Sequence, residues 1–588
     1  MQGRLLFLVH MLILGMCELH AQTVIPLDST LALAINSNVH SSTNDSLVLG
    51  SFDSSDSVIL ASFQYYSALD EMGGILGMAL MPPVHYRHNI HSSGLETKWA
   101  LVSLGSVAQK TGVQAFTWAP YPKKPGEHPF YAMRVGPMPS VEWTYQGSQG
   151  RGQSFSLNAT ASENPSAHWN IVYGRLQSRG QLFNERYQMD RLTVFHTRHS
   201  KEYGWHLLAK VEVLKGDQNE TGGVVDPENL SSSALFITNR TLVPTRWTDA
   251  TSSGGRMHGY GQLTFKGGRS VGYEVTAQTR SYVGPTLGFS DTLRSVRQDI
   301  SMYTRFPWNM GLQVGLIVRY QGLQDSNVSV GYRLDPYLML TSSTARLQAF
   351  PRSGNFLVAY KSGIGRKFDL DLEGKRDYAP FWSGQEVLQP MQYEGTISHA
   401  FARFKMTMRG SYFGQRNLLT CIGIEDPGVW RSTPSSGVVS MQMANKPSNR
   451  VTEKPVQLVW RLTYNLVSAD ALMMAPWVFE GQWDRQWQIN ANTQFFVGVE
   501  GYAWAGEWIR PVYLAERGIF AYSPNSGTIA PNGLVTPFAG IRFKKEAEVL
   551  VKFQNANQGW IPNTIFLAEN YPMAPAAVMI EGRWRMFN

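Results

Sequence analysis

Apolar and polar side chains alternate with a period of two residues along much of the chain. Near the carboxyl end the apolar or small set is Val578, Ile580, Gly582, Trp584 and Met586. The intervening set is Met579, Glu581, Arg583, Arg585 and Phe587. A period of two predicts a β-strand with one apolar and one polar face. A terminal strand that carries aromatic residues is typical of the closing strand of an outer-membrane barrel, whose apolar face meets lipid. Trp584 and Phe587 are therefore assigned to a barrel-closing strand.

The same alternation returns many times after Ser140, in segments of about nine to fifteen residues. A tilted strand of that length can cross a membrane. The clearest segments are 205–213, 271–280, 312–321, 367–375, 402–409, 456–465, 477–483, 489–503, 535–543 and 547–553.

The connections between these segments also alternate, between short turns and long polar loops. Short turns are predicted at 163–166, 200–203, 266–269, 306–309 and 544–546, and long loops at 215–245, 415–455 and 506–534. Bacterial outer-membrane barrels have short turns at the periplasmic rim and long loops outside the cell. The predicted fold is all-β: a transmembrane antiparallel up-and-down β-barrel of about 18 strands, with a range of 16 to 20.

The amino-terminal part of the chain has a different character. Residues 1–21 combine Arg4, an apolar run and a small residue, Ala21, which predicts a secretory signal peptide. Residues 22–95 are predicted to form a short periplasmic or lumenal, plug-like segment, and residues 96–588 the barrel. Histidines at 85, 88 and 91 could share a helical face and hold a metal, but the adjacent Pro82 and Pro83 favour a loop with ordinary surface histidines. No metal site is predicted.

Composition narrows the class of protein. Charged residues make up 16% of the chain and aromatic residues 12%, where about a quarter charged is usual for soluble domains. Past the signal peptide no run of about 18 uncharged apolar residues occurs, so a helical membrane protein is disfavoured. The net charge of +8 comes from basic residues spread through alternating strands, which argues against a nucleic-acid partner.

Several phrases resemble a known family. They are PSVEWTYQGSQGRGQSFSLNATAS from Pro139, NRTLVPTR from Asn239 and the ending NYPMAPAAVMIEGRWRMFN from Asn570. They resemble the porin family of outer-membrane β-barrels in Bacteroidetes-type Gram-negative bacteria, from about residue 95 to the end. The resemblance implies a barrel in the cell outer membrane, reached through a signal peptide, and carries no invariant site.

The predicted lumen has a basic excess. Its predicted lining residues are Arg319, Asp369, Asp371, Glu373, Arg403, Lys405, Arg409, Arg461, Arg583 and Arg585, and the same alternation also places Arg175, Arg542 and Glu500 inside. A net positive lining favours anions. The alternative is that these charges pair across neighbouring strands and only stabilise the wall.

The favoured function is an outer-membrane porin-like channel for passive diffusion of small polar solutes, weakly anion-selective. The alternative is a barrel without a channel that acts as a scaffold or as a subunit of a surface assembly or secretion machine. Expected partners are outer-membrane lipid, the barrel-assembly machinery, small solutes and, for the scaffold, outer-membrane or surface lipoproteins. Neither enzymatic activity nor a cofactor is predicted, because the histidines fall on different strands. A receptor with a plug domain is disfavoured because only roughly 75 residues lie between the predicted signal peptide and the predicted barrel.

Overall fold

The computed structural model describes the barrel strands, part of their connections and two short strands that precede them. Its described residues are 59–63, 131–135, 140–148, 152–164, 167–179, 182, 184–200, 203, 205–225, 243–265, 269–284, 290–306, 311–324, 331–341, 345–350, 355–364, 368–376, 378–379, 387–388, 392–400, 404–413, 416–420, 429–433, 436–445, 456–466, 476–510, 512–514, 519–521, 523–544, 546–557, 566–572 and 576–586. The predicted signal peptide and the three histidines lie outside these residues.

Alternating sequence forms strands throughout the described part of the chain. The first half contains β1 (Ile59–Phe63), β2 (Tyr131–Val135), β3 (Ser140–Ser148), β4 (Gly152–Asn164), β5 (Ala167–Ser178), β6 (Tyr187–Ser200), β7 (Trp205–Asn219), β8 (Thr251–Phe265), β9 (Arg269–Val283), β10 (Ser290–Phe306), β11 (Gly311–Gln324), β12 (Gly331–Thr341), β13 (Ala345–Phe350), β14 (Asn355–Ile364), β15 (Phe368–Arg376), β16 (Tyr378–Ala379) and β17 (Val387–Leu388). The second half contains β18 (Gln392–Ala400), β19 (Phe404–Phe413), β20 (Arg416–Thr420), β21 (Val429–Thr433), β22 (Ser436–Asn445), β23 (Val456–Leu466), β24 (Trp477–Asn490), β25 (Thr493–Ala505), β26 (Trp508–Ile509), β27 (Val512–Leu514), β28 (Ile519–Ala521), β29 (Thr528–Ile529), β30 (Asn532–Phe543), β31 (Ala547–Gln554), β32 (Phe566–Ala568), β33 (Tyr571–Pro572) and β34 (Ala577–Met586). Within these described residues, no helix is long and apolar enough to cross a membrane.

Twenty-two of the strands form one closed antiparallel barrel: β3 to β15, β18, β19, β22 to β25, β30, β31 and β34. Each barrel strand pairs with the next one along the chain, and β34 returns to pair with β3. The ring therefore begins at Ser140, whereas the sequence predicts a barrel from residue 96. The all-β up-and-down architecture is confirmed.

The predicted count of about 18 strands is wrong, because several wall strands carry weak sequence signals. Strand β12 contains Pro336, which cannot donate a ladder hydrogen bond. A proline inside a segment argues against a strand when only the sequence is considered. Strand β13 has only six residues. Strand β22 lies inside 415–455, for which the sequence predicts a single loop.

The remaining strands form small two-stranded sheets. The pair β1 and β2 precedes the barrel, and β2 comes within 8 Å of β4 and β5 in Cα positions. The other pairs extend the long connections: β16 with β17, β20 with β21, β26 with β29, β27 with β28, and β32 with β33. The short turns at 491–492 and 544–546 lie at the end of the barrel opposite these long connections. Short turns mark the periplasmic rim of bacterial outer-membrane barrels.

The barrel has an apolar exterior, as the alternation predicts. On β34, Ile580 is 53% exposed whereas the adjacent Glu581 is 6% exposed. On β7, Val211 and Val213 are exposed while Lys210 and Glu212 are buried. A closed barrel leaves no unpaired edge, so an apolar outer band can lie in lipid. This fold places the chain in the outer membrane.

Aromatic residues lie on the exterior next to the periplasmic rim, along the arc of the barrel from β24 to β3. Trp143 of β3 stacks on Trp584 across the closing seam, with ring centroids 6.1 Å apart. Trp487 stacks on Phe495 at 5.8 Å, and Phe543 is exposed beside the 544–546 turn. Such girdles mark the level where lipid headgroups meet the hydrocarbon core.

Near the outer rim, the exterior becomes polar. Arg175 lies on the same face of β5 as the exposed Ile171, and its Nε is 3.7 Å from Oδ1 of Asp190 on β6. The prediction that Arg175 faces the lumen is therefore wrong. The strands here are longer than a membrane crossing needs, for example 17 residues in β10. Their outer ends stand above the lipid, where both faces meet water.

Candidate functional site in the lumen and the outer cap

Two charge clusters lie on the inward face of the barrel. In the first, the β6–β7 cluster, Oε2 of Glu212 lies 2.9 Å from Lys210 Nζ and 3.3 Å from Arg191 Nη2. Lys210 Nζ also lies 5.7 Å from the centre of the Phe195 ring. Strand alternation turns Lys210 and Glu212 inward together, because they are two residues apart. Both side chains are almost completely buried, at 0% and 2% exposure.

The second group, the β25–β31 cluster, has two ion pairs. Arg542 donates from Nε and Nη2 to Oε2 of Glu548 at 2.9 and 2.8 Å. Lys552 Nζ lies 2.5 Å from Oε1 of Glu500. The register brings Arg542 directly opposite Glu548 on β31, so this pairing follows from how the strands align.

An apolar patch separates these two ion pairs. Phe496, Phe538 and Leu550 pack together and are buried. A Cβ atom on Gly540 would lie 2.4 Å from the Phe496 ring. Glycine at this position lets the phenyl ring approach the strand closely.

The closing seam carries a more exposed pair. Arg583 of β34 approaches Glu142 of β3 with a shortest distance of 2.8 Å, and the Arg583 side chain is 44% exposed. Thus the described inward cations Arg191, Lys210, Arg542, Lys552 and Arg583 each have a carboxylate partner. The Lys210–Glu212 contact lies within one strand, and the other four join different strands. They agree with charge pairing across the wall, the alternative to a basic lining that selects anions.

The other predicted lining residues are located here by strand register. Arg319 lies opposite Asp299 and Arg333, and Arg461 lies opposite Gln442 and Glu480. Asp369, Asp371 and Glu373 occupy alternate positions of β15. Their register partners on β14 are Gly363, Lys361 and Ala359, in that order. Lys405 and Arg409 lie on β19, opposite Ala444 and Ser440 of β22, and Arg585 lies opposite Glu142. Arg403 and Phe587 fall outside the described residues. The lining role of Arg403 and of the residues located by register stays a prediction, as does the place of Phe587 in the barrel-closing strand.

Long connections pack together at the outer rim and form what we term the outer cap. The cap consists of the described residues within 182–186, 220–225, 243–250, 506–531 and 569–572. Leu182, Val224 and Val243, from two different connections, form a small apolar core. This shared core packs the β5–β6 and β7–β8 connections into one surface rather than two separate loops.

Glu220 joins the cap to the barrel wall. Its Oε1 accepts from Ser252 Oγ at 2.5 Å and from Tyr513 OH at 3.3 Å. Tyr513 and its neighbour Val512 are 1% and 0% exposed. The β25–β30 connection therefore inserts two side chains into a site built by the β7–β8 connection.

Tyr571 completes this contact from the last long connection. Its ring meets Tyr513 edge-on with centroids 5.9 Å apart. Burial raises the pKa of Tyr571 well above the ordinary value, and the nearby carboxylates of Glu220 and Glu185 raise it further. Tyr571 thus stays neutral and serves as an uncharged packing group at ordinary pH.

A glycine permits the closest backbone approach in the cap. Gly223 has φ of +78°, and a Cβ there would lie 2.5 Å from the carbonyl oxygen of Asn570. The amide of Val224 donates to that same oxygen at 2.9 Å. A larger residue at 223 would break the contact between these two connections.

The sequence does not reveal the cap residues. Of three tryptophans in the long connections, Trp430 lies on β21, Trp508 lies on β26, and Trp560 falls outside the described residues. The contact among Glu220, Tyr513 and Tyr571 has only two signals in the sequence. They are an acidic residue directly after β7 and isolated tyrosines in long polar loops. Neither is specific without the tertiary structure.

Comparisons with known proteins show the fold. No protein-family model matches the chain, and no curated protein matches it. Among solved structures, the siderophore receptor PirA from Acinetobacter baumannii is similar with a TM-score of 0.51 and 10% identity, covering 78% of this chain and 82% of that one.

Two further structures have the same architecture. The ferric citrate transporter FecA has a TM-score of 0.54 and 10% identity, covering 80% of this chain and 82% of that one. The FrpB iron transporter from Neisseria meningitidis has a TM-score of 0.54 and 8% identity, covering 78% and 84%. At such identities the likeness extends to the outer-membrane barrel fold alone.

Proposed function

We propose that this chain is an outer-membrane transporter with a filled lumen, which takes up a solute bound at its outer cap. The segment 22–139 occupies the barrel in this proposal and must rearrange before the solute crosses. The observation that carries it is the ring of 22 strands. Barrels with about 16 to 18 strands enclose an aqueous channel, whereas 22-stranded outer-membrane transporters have a plugged lumen.

Burial of the β6–β7 charge cluster supports a filled lumen. Side chains cannot fill a barrel of this width by themselves, yet Lys210, Glu212 and Thr193 are between 0% and 2% exposed. A wall that faced open water would leave such polar groups accessible, so their burial supports a lumen occupied by another part of the chain.

The segment before the barrel is the available filler. It runs to residue 139, which is longer than the 22–95 segment that the sequence predicts, so the length argument against a plug loses its force. Strand β2 lies close to β4 and β5 of the wall. This position supports a segment held against the barrel rather than one that hangs free in the periplasm.

The kind of transport that we propose is based on the proteins with similar structures. They are a siderophore receptor, a ferric citrate transporter and an iron transporter. We extend to this chain the uptake of a small solute through the outer membrane, and metal chelates are the first solutes to assay. Passive diffusion, the function favoured by the sequence, would need an open lumen with accessible charges.

Conductance in planar bilayers tests the proposal. We expect the full mature chain to stay closed and the chain without 22–139 to give large, steady currents. The shift of migration between heated and unheated gel samples controls for correct folding of both proteins.

Two outcomes would contradict the proposal. Steady conductance of the full chain would restore the passive porin. A folded barrel that stays closed without 22–139 would show that another segment fills the lumen, and it would favour the scaffold function predicted as the alternative.

A further inference from the structure

One arginine lies among apolar residues on the lipid-facing side of the barrel. Arg485 of β24 is exposed and lies between Trp483 and Trp487, which are 39% and 37% exposed on the same face. Its partners in register on the two neighbouring strands are Val456 and Val497. The side chain is therefore surrounded by apolar positions on all four sides of the strand lattice.

The guanidinium of Arg485 points toward the periplasmic rim. Its Cζ lies 5.1 Å from the centre of the Trp487 ring, and Trp487 is closer than Arg485 to the turn at 491–492. Long basic side chains in membranes extend in this way to bring their charge to the headgroup level. The stacked pair of Trp487 and Phe495 marks that level on this side of the barrel.

Arg485 differs from Arg175, the outward arginine at the outer rim. Arg175 has a carboxylate partner, Asp190. Arg485 has the Trp487 ring as its contact and no ion pair within the described part of the chain. An arginine on the lipid face costs free energy unless an anion or water meets its charge. Phosphate is the anion present at this depth of a bilayer, and guanidinium binds it through two parallel hydrogen bonds.

We propose that Arg485, flanked by Trp483 and Trp487, is a binding site for the phosphate of a glycerophospholipid in the periplasmic leaflet. The indole rings lie against the glycerol and upper acyl region while the guanidinium binds the phosphate. The site is on the outside of the barrel and does not depend on the transport proposal.

Native mass spectrometry of the purified full chain tests this site. The protein in detergent is titrated with phosphatidylglycerol, and the fraction of barrels that retain lipid is compared between wild type and Arg485→Gln. We expect the affinity of the strongest lipid adduct to fall about fivefold, the effect of one basic residue at a lipid surface. The matched control is Arg175→Gln, the same substitution on the same outer face, which should leave that affinity unchanged.

Competing ligands separate the phosphate contact from binding of the acyl chains alone. Diacylglycerol, which has the same chains without phosphate, should bind wild type and Arg485→Gln equally. Inorganic phosphate alone should not displace the phospholipid at matched concentration, because the acyl chains supply much of its affinity.

Three results would overturn the proposal. They are equal phosphatidylglycerol binding by Arg485→Gln and wild type, an equal loss in Arg175→Gln, and preferential binding of purified lipid A, a lipid of the outer leaflet, over phosphatidylglycerol at Arg485. Heat-dependent gel migration of each variant shows that the barrel remains folded, so a loss of lipid reflects the site itself.

Discussion

The buried carboxylate of Glu212 gives a sharp test of the inner wall. Replacing it with glutamine keeps the size of the side chain but removes the charge shared by Lys210 and Arg191, at 2.9 and 3.3 Å. Lys210 is fully buried and Arg191 is 17% exposed, so water screens neither cation well. Removing one member of a buried charge pair costs roughly 3 to 5 kcal/mol, because the other charge remains in a poor solvent. We expect Glu212→Gln to lower the free energy of unfolding by about 3 kcal/mol.

The matched control is Glu142→Gln at the closing seam. Its partner Arg583 is 44% exposed, and pairs that solvent screens contribute at most about 1 kcal/mol. Urea unfolding of the barrel in phospholipid vesicles, followed by tryptophan fluorescence, measures both variants. Adding Lys210→Met to Glu212→Gln should recover part of the loss, since one buried cation is then absent. If Glu212→Gln unfolds at the same urea concentration as Glu142→Gln, the inner wall is hydrated and the argument for a filled lumen fails.

Three more predictions concern the seam, the lipid face and the cap. Deleting residues 584–588 removes the seam pairs made by Trp584, Arg585 and Met586, so the protein should disappear from the membrane fraction; normal abundance would mean that the barrel closes without these pairs. Ile580→Arg should cost about 2 to 4 kcal/mol because it faces lipid, whereas Arg583→Gln should cost less than about 1 kcal/mol; equal urea midpoints would put the register of β34 off by one residue. Tyr513→Ala should open the outer cap and make its loops sensitive to protease on intact cells, while Tyr571→Phe, which keeps the ring, should leave them resistant; resistance of both variants would show that Tyr513 does not hold the cap.

The sequence is informative wherever a local period decides the outcome. A strand places successive side chains on opposite faces, so the spacing of Lys210 and Val211 is enough to assign them to opposite faces. The terminal strand and its pairing with the first strand follow from the same reasoning together with the need to remove free edges. The alternation of short and long connections predicts the two rims at several turns, but the predicted loop 415–455 spans both of them because β22 crosses the wall within it.

The count of strands depends on weaker signals. Pro336 in β12 breaks the usual sequence signature of a strand, but neighbouring strands on both sides supply the pairing that keeps it in the wall. Strand β22 follows a connection that contains the short strands β20 and β21. In the sequence, this connection and β22 therefore look like one long loop. Tertiary pairing stabilises both segments against a poor local pattern.

The sequence by itself determined the strand class, the two faces of strands such as β7 and β34, and the membrane location, because each is set by residues two positions apart. Only the tertiary structure decided which charges neutralise one another, since Arg191 and Glu212 meet through strand register rather than through spacing. It alone brought Tyr513 to Glu220, 293 residues away, and it alone turned Arg175 outward and set Arg485 against a tryptophan ring in lipid. Such contacts depend on how the ring of strands closes and where its loops fold back, and closure is a property of all 22 strands together.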